Sequence, residues 1–385
     1  MAGRRSILID ARVNGFPGAH GLARSVMKLT AHMNEPADGL ALRVLVNPRR
    51  AQLFPLAELP TYADIVETDV TAGAVHRGRE LARVIRSAGA AVLYVPYMAF
   101  TPVIRPCPFV VTVHDTTLEK DAGFAGGRLR SATAGAGTSL VLRRATAMTA
   151  PSRASLAEIT RRYPAAPNPL VVPNGVEVRQ FGDVTSAALA TARARYRLPE
   201  TFVLAVGARR PHKNHETLVR ALAALPAHVA LVIAGYFDPS FRDPLPGLIT
   251  ELGLDSRVRL VPDVAEEHLP AVYRAASVFA FPSLSEGYGL PVLEAMASGV
   301  PVVMSDIPVL AEVAGAAAFL VKPRHVAGWA AALAAVLSSE ALRARLTGAG
   351  HAAAAAASWE QGAAALGSVL AAVASGKLTR GSRRG

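Results

Sequence analysis

The stretch Phe281-Pro-Ser-Leu-Ser-Glu-Gly-Tyr-Gly-Leu-Pro-Val-Leu-Glu-Ala-Met-Ala-Ser-Gly299 decides the fold. The apolar run 277–281 ahead of it reads as a strand. A loop follows, with Gly287 and Gly289 on either side of Tyr288. The pattern then predicts a helix from about Leu290. Pro291 suits its first turn, where a missing N–H costs little. Gly299 suits its carboxyl cap, Val300-Pro301 ends it, and Val302-Val303-Met304 resumes an apolar run. This is a β–loop–α–β unit with its loop at the carboxyl end of a strand.

Such a loop favours an anion. The helix amino end offers unpaired N–H groups and a partial positive charge. Gly287 and Gly289 let the backbone approach a ligand closely. Glu286 and Glu294 bracket the loop. Carboxylates repel phosphate, so they should meet hydroxyl groups. Phosphate between two hydroxyl-bearing ends describes a sugar nucleotide.

Glu286 and Glu294 form an E-x7-E pattern, and the wording Pro282 to Ala297 resembles the family 4 retaining glycosyltransferases of the GT-B fold almost throughout. The resemblance implies an α/β protein of GT-B architecture: two Rossmann-like parallel-sheet domains facing across a cleft. It covers roughly 6–373 and is strongest over 277–313; the tail and 48–75 lie outside it. The bland alternative is a buried βαβ unit with a capped helix and surface glutamates.

At 385 residues the chain exceeds one ordinary core, and half of it is apolar. Cys107 is the only cysteine, so neither an intrachain disulfide nor a cysteine zinc cluster can form, and a reducing cytosol fits. The amino terminus runs straight into a strand without a signal-peptide core, and no apolar stretch reaches membrane-spanning length. The expected location is cytoplasmic, peripheral at most to the inner face of a membrane. A formal charge of +12 allows nucleic acid, anionic membrane or phosphorylated small molecules as partners. The basic residues are dispersed in pairs and no nucleic-acid motif accompanies them, so nucleic acid is not expected.

Along the chain, strands are expected at 6–11, 42–46, 91–95, 109–114, 147–151 and 170–172, then at 202–207, 230–234, 257–261, 277–281, 302–304 and 319–321. Helical stretches intervene, and the alternation indicates parallel sheets covered on both faces. The expected domains are 1–180 on the acceptor side and 181–357 for the nucleotide sugar. Residues 178–199 read as a linker. A helix over 358–375 returns to the first domain, and 376–385 is a basic flexible tail suited to anionic lipid or a phosphate-bearing substrate.

The remaining site residues follow from the resemblance. His114, before Asp115 at a strand end, matches the family's histidine near the donor sugar. Lys213 matches the lysine that neutralises the donor diphosphate. Arg209 or Arg210 supplies a second charge from a shifted position, since Ala208 stands where the family often has arginine. Gly18, Gly21 and Arg24 line the cleft with His20, whose wording departs from the family's; His20 and Arg24 fall on the acceptor side. Gly235 and Asp263 frame the base, and Gly287 to Leu290 follow the phosphates. Glu294 is matched to the ribose and Glu286 to a sugar hydroxyl. His114, Glu286 and Lys213 are the expected catalytic groups.

The expected function is retaining transfer of a hexosyl unit, mannosyl or glucosyl being candidates, from a nucleotide-diphosphate sugar. The acceptor would be the hydroxyl of a glycan, a lipid-linked molecule or a small molecule. No cofactor is expected, and no metal either, because the chain has no Asp-x-Asp pair. The alternatives are a nucleotide-sugar epimerase of similar fold, or a non-catalytic basic protein that binds glycan or nucleic acid.

Overall fold

A computed structural model describes residues 4–12, 20–49, 56–71, 75–239 and 241–381. The described residues divide into two compact units. One comprises residues up to 116, 132–174 and 359 onward; the other comprises 117–131 and 175–358. The second unit therefore takes in a short segment, 117–131, from within the stretch expected to be wholly first domain.

The first unit is built on seven strands: β1 (Ser6–Asp10), β2 (Ala41–Val46), β3 (Ala63–Glu67), β4 (Ala90–Val95), β5 (Phe109–Thr112), β6 (Ala147–Ala150) and β7 (Pro169–Val171). They form one parallel sheet in the order β3-β2-β1-β4-β5-β6-β7. The helix Trp359–Ala374 belongs to this unit. A Cβ on its Gly362 would stand 2.1 Å from the Pro173 carbonyl oxygen, so the helix backbone lies directly on the chain after β7. Two residues of the expected tail bond to this unit. The Leu378 N–H donates to the Ala372 carbonyl, and the Asn168 amide donates to the Thr379 carbonyl.

The second unit holds six strands: β8 (Phe202–Val206), β9 (Ala230–Ala234), β10 (Val258–Val261), β11 (Val278–Phe281), β12 (Val302–Ser305) and β13 (Ala318–Val321). Their order is β10-β9-β8-β11-β12-β13, again all parallel. Side chains alternate between the two faces of a strand. Phe202, Leu204, Phe279 and Phe281 enter one core with the helix Leu290–Ala297. Val203, Ala205, Val278 and Ala280 enter another, with Trp329 from the helix Val326–Ser338. Both faces are covered, which is why these strands read as continuous apolar runs.

The expected linker is instead part of this unit. Residues 178–199 contain the helices Val178–Gly182 and Ser186–Tyr196. Their Phe181 and Ala192 are buried in the first of these cores, so apolar contact fixes a segment whose mixed polarity reads as a spacer.

Numbered within its own unit, each sheet contains the order 3-2-1-4-5-6, in which succession reverses beside the first strand. Ligands in such sheets bind at the carboxyl ends of the two strands flanking that reversal. Those are β1 and β4 in the first unit, β8 and β11 in the second.

Candidate functional site

In the second unit both flanking strands end in loops that carry expected site residues. After β8 the chain passes Gly207 and turns through a short helix, Pro211–Lys213, to Asn214. After β11 it runs from Pro282 to Gly289, where the helix Leu290–Ala297 begins with Pro291 in its first turn. Gly289 takes a φ of +111°, and a Cβ there would stand 2.7 Å from Leu310, so glycine is needed on both counts. Gly299 follows the helix at a φ of +71°, as its sequence position implies.

Three contacts stitch the two loops together. The Leu284 N–H donates to the His212 carbonyl at 2.7 Å. The Asn214 amide donates to the Pro282 carbonyl at 3.0 Å, and to Pro323 at 2.8 Å. Lys213 Nζ donates to Glu286 Oε1 at 2.5 Å, with both side chains largely enclosed. The lysine ammonium also stands 5.0 Å from the centre of the Phe281 ring. The two residues expected to meet diphosphate and sugar are thus brought together as an ion pair.

The arginines are held elsewhere. Arg210 pairs with Asp238, Nε to Oδ2 at 2.9 Å, and also donates to the Tyr236 hydroxyl. Arg209 pairs with Asp243 at 2.8 Å and lies over the Phe237 ring. Both guanidiniums are drawn to the chain after β9, whereas Lys213 pairs with Glu286. Next to it, His215 is buried and its pKa is pushed down to about 3, first by burial, then by Lys213 and Arg209.

Glu294 sits on the first turns of its helix, 4% exposed, and accepts a hydrogen bond from the Tyr273 hydroxyl at 2.7 Å. Tyr288 is mostly enclosed, and burial, then Glu312, pushes its hydroxyl up to about 12. Gly235 closes β9 at a φ of +155°; a Cβ there would stand 2.1 Å from the Gly207 carbonyl oxygen, so the two strand ends are packed backbone to backbone. Asp263 is exposed just beyond β10. These residues all belong to the carboxyl edge of one sheet.

In the first unit, His114 follows β5 and is half-buried. Its Nε2 lies 2.9 Å from the Pro96 carbonyl, which can only accept, so Nε2 carries the proton and Nδ1 is left as an acceptor in the neutral ring. Burial lowers its pKa, against weaker upward pulls from that bond and Asp115. Gly21 and Arg24 lie on the helix His20–Ala31, and among the described residues nothing lies within 4 Å of a Cβ built on Gly21. Gly18 falls outside the described residues, as does the side chain of His20. At the end of β1, unannounced by any motif, Arg12 grips Asp10 with two bonds of 2.8 and 2.6 Å and donates to the Val70 carbonyl.

Sequence reasoning missed one part of the second unit. The segment from Thr117 reaches the Glu286 loop: Thr117 Oγ1 lies 2.8 Å from Ser285 Oγ, and Lys120 Nζ donates to the same oxygen at 3.0 Å. Two helices of four residues each, Thr117–Lys120 and Ala122–Ala125, are too short for periodicity to reveal.

Comparison with known proteins agrees with this geometry. Residues 191–352 match the family model for glycosyl transferases group 1, and residues 20–180 match that for glycosyltransferase family 4. A D-inositol 3-phosphate glycosyltransferase of Salinispora arenicola is 36% identical over 62% of this chain and 58% of its own length. The chain spans only 53–65% of the length of such curated relatives. Among solved structures, sucrose-phosphate synthase from Thermosynechococcus elongatus superposes with a TM-score of 0.74 at 22% identity, covering 95% of this chain and 98% of that one. The Anabaena protein HepE, solved with UDP-glucose, gives 0.72 at 19% identity over 96% and 99%. At these identities the structures speak for the fold. The two models together cover every strand of the two sheets except β1, with the loops that carry Lys213 and Glu286, and the chain belongs to the family 4 glycosyltransferases of the GT-B fold.

Proposed function

We propose that this chain transfers a hexosyl unit from a nucleotide-diphosphate sugar to an acceptor hydroxyl, with retention of configuration and without a metal ion. The observation that carries the reading is the Lys213–Glu286 pair at 2.5 Å, on the two loops that flank the strand reversal. A sugar diphosphate matches that pair: its phosphates take the ammonium, and a sugar hydroxyl donates to the carboxylate. The amino end of Leu290–Ala297, opened by Gly289, adds N–H groups for the phosphates. The buried carboxylate of Glu294 is assigned to the ribose by the family pattern.

In the reaction the bond between the anomeric carbon and the phosphate oxygen breaks, and the acceptor oxygen bonds to the same carbon. The departing phosphate oxygen takes the acceptor proton. Lys213 and the helix terminus stabilise the negative charge left on the diphosphate, the task for which a fixed cation is most effective. Attack on the same face as departure needs no separate general base, which inversion would require. His114, assigned to the sugar by the resemblance, offers its Nδ1 as an acceptor. The HepE protein was solved with UDP-glucose, which makes UDP-sugars the first donors to try.

The test is a screen of UDP-, GDP- and deoxythymidine-diphosphate sugars, scored by released nucleotide, with Lys213→Ala as control. One donor should be consumed with acceptor, and Lys213→Ala should lower turnover about 10²–10³-fold with the fold intact. Near wild-type turnover in that variant rejects the lysine's role. The anomeric coupling constant of the product, read by NMR, should show an α-glycoside from an α-donor; a β-product rejects the mechanism.

A further inference from the structure

We infer that Thr117–Ala125 is a positioning strap that presets the two loops carrying Lys213 and Glu286. The segment follows β5 in sequence yet belongs to the second unit. It touches the residue immediately before each member of the ion pair. Ser285, beside Glu286, is 1% exposed and its hydroxyl meets both Thr117 Oγ1 at 2.8 Å and Lys120 Nζ at 3.0 Å. His212, beside Lys213, meets the edge of the Phe124 ring, with centroids 6.0 Å apart and planes at 69°.

The strap is itself rigidly built. Asp121 separates its two short helices and caps the second, accepting from the Gly123 N–H at 2.7 Å. The second helix ends at Gly126, which takes a φ of +76°. Thr117 and Phe124 are both at least nine-tenths buried. One segment thus contacts both of the loops whose Lys213 and Glu286 side chains stand 2.5 Å apart. Side chains that act on a ligand hold their geometry only when the residues behind them are locked in this way. Thr117, Lys120 and Phe124 are positioning residues; nothing requires them to touch substrate. Their consequence for catalysis rests on the proposed function, whereas their grip on the loops does not.

The experiment is hydrogen–deuterium exchange on the full chain, with calorimetric titration of UDP and GDP alongside. Lys120→Met and the near-isosteric Thr117→Val each remove one bond to Ser285. Lys120→Arg keeps a donor and should restore wild-type behaviour. In both loss variants exchange should quicken about tenfold over 282–289 while the strands of the second unit stay protected. Affinity for whichever nucleotide the wild type binds should fall about tenfold in Lys120→Met, whose lost bond has a charged donor, and by less in Thr117→Val, whose lost bond is neutral. Unchanged exchange over 282–289 overturns the strap. So does a uniform rise across 175–358, which would mark ordinary destabilisation. A local response in a protein that binds neither nucleotide, nor deoxythymidine diphosphate, keeps the strap and overturns the functional reading instead.

Discussion

Lys213 and Glu286 satisfy each other across 2.5 Å, so a ligand must give each a better partner. His215 lies two residues beyond that lysine, and its imidazole stays neutral first because burial strips water from the charged form, then because Lys213 and Arg209 repel a proton there. The folded value, about 3, lies below the ordinary one near 6.5. Between those limits the unfolded chain takes up a proton that the folded chain refuses. Stability is therefore complete above about pH 6.5 and falls as pH drops toward 3, by up to about 1.4 kcal/mol per pH unit from this one group. His114, also lowered, contributes with the same sign. Thermal midpoints of the wild type should fall more steeply between pH 7.5 and 5 than those of His215→Gln. Parallel profiles for the two proteins would remove His215 as the cause.

Among the elements, strands that read as apolar runs were legible in the sequence, the edge strands β7, β10 and β13 as well as the central ones. The run Phe202 to Gly207 is apolar at each position and becomes β8; Ser277 to Phe281 becomes β11. β3 escaped because its Asp64, Ile65 and Glu67 are exposed and none of its five residues is buried. Its burial is too slight to enforce an apolar pattern. The helix Leu290–Ala297 was legible through Pro291 and Gly299, whose backbone chemistry is local. The Lys213 and Glu286 identities were legible through their wording. Their pairing, the diversion of both arginines to Asp238 and Asp243, and the strap depend on contacts distant in sequence that no spacing encodes. The helix Trp359–Ala374 gives a test at this scale. Gly362 has no room for a methyl group against Pro173, whose backbone cannot move aside as a flexible side chain would. Gly362→Ala should destabilise the first unit by about 1–3 kcal/mol, the usual cost of overpacking, despite alanine's better helix propensity. The measurement is denaturant unfolding followed by exchange protection of β1 and β4. An unchanged or raised stability would mean that the helix does not bear on Pro173 as described.

Over the whole molecule, the chain passes from one unit to the other at 116/117, 131/132, 174/175 and 358/359, so neither unit is one contiguous stretch. Charge is likewise a property of the whole. The chain carries 41 Lys and Arg against 29 Asp and Glu, a surplus of cations available to a polyanionic donor. At the Glu286 loop that surplus takes the form of two lysines, Lys213 and Lys120, each held by a named contact. A divalent ion in a transferase neutralises the departing diphosphate and must itself be held by carboxylates. Here Glu286 already holds a lysine, Asp238 and Asp243 hold arginines, and Glu294 accepts from Tyr273. Each of these carboxylates would have to leave a partner before it could hold a metal. Lys213, by contrast, needs only to exchange Glu286 for phosphate while the donor sugar takes the carboxylate. Turnover, assayed with whichever donor the screen finds, should therefore be unchanged by a chelator and flat across a magnesium or manganese titration. It should fall with added monovalent salt, which screens exposed cations more than enclosed pairs. Activity abolished by the chelator and restored by either metal would show that Lys213 and the helix terminus do not suffice, and the charge balance proposed for the leaving group would be wrong.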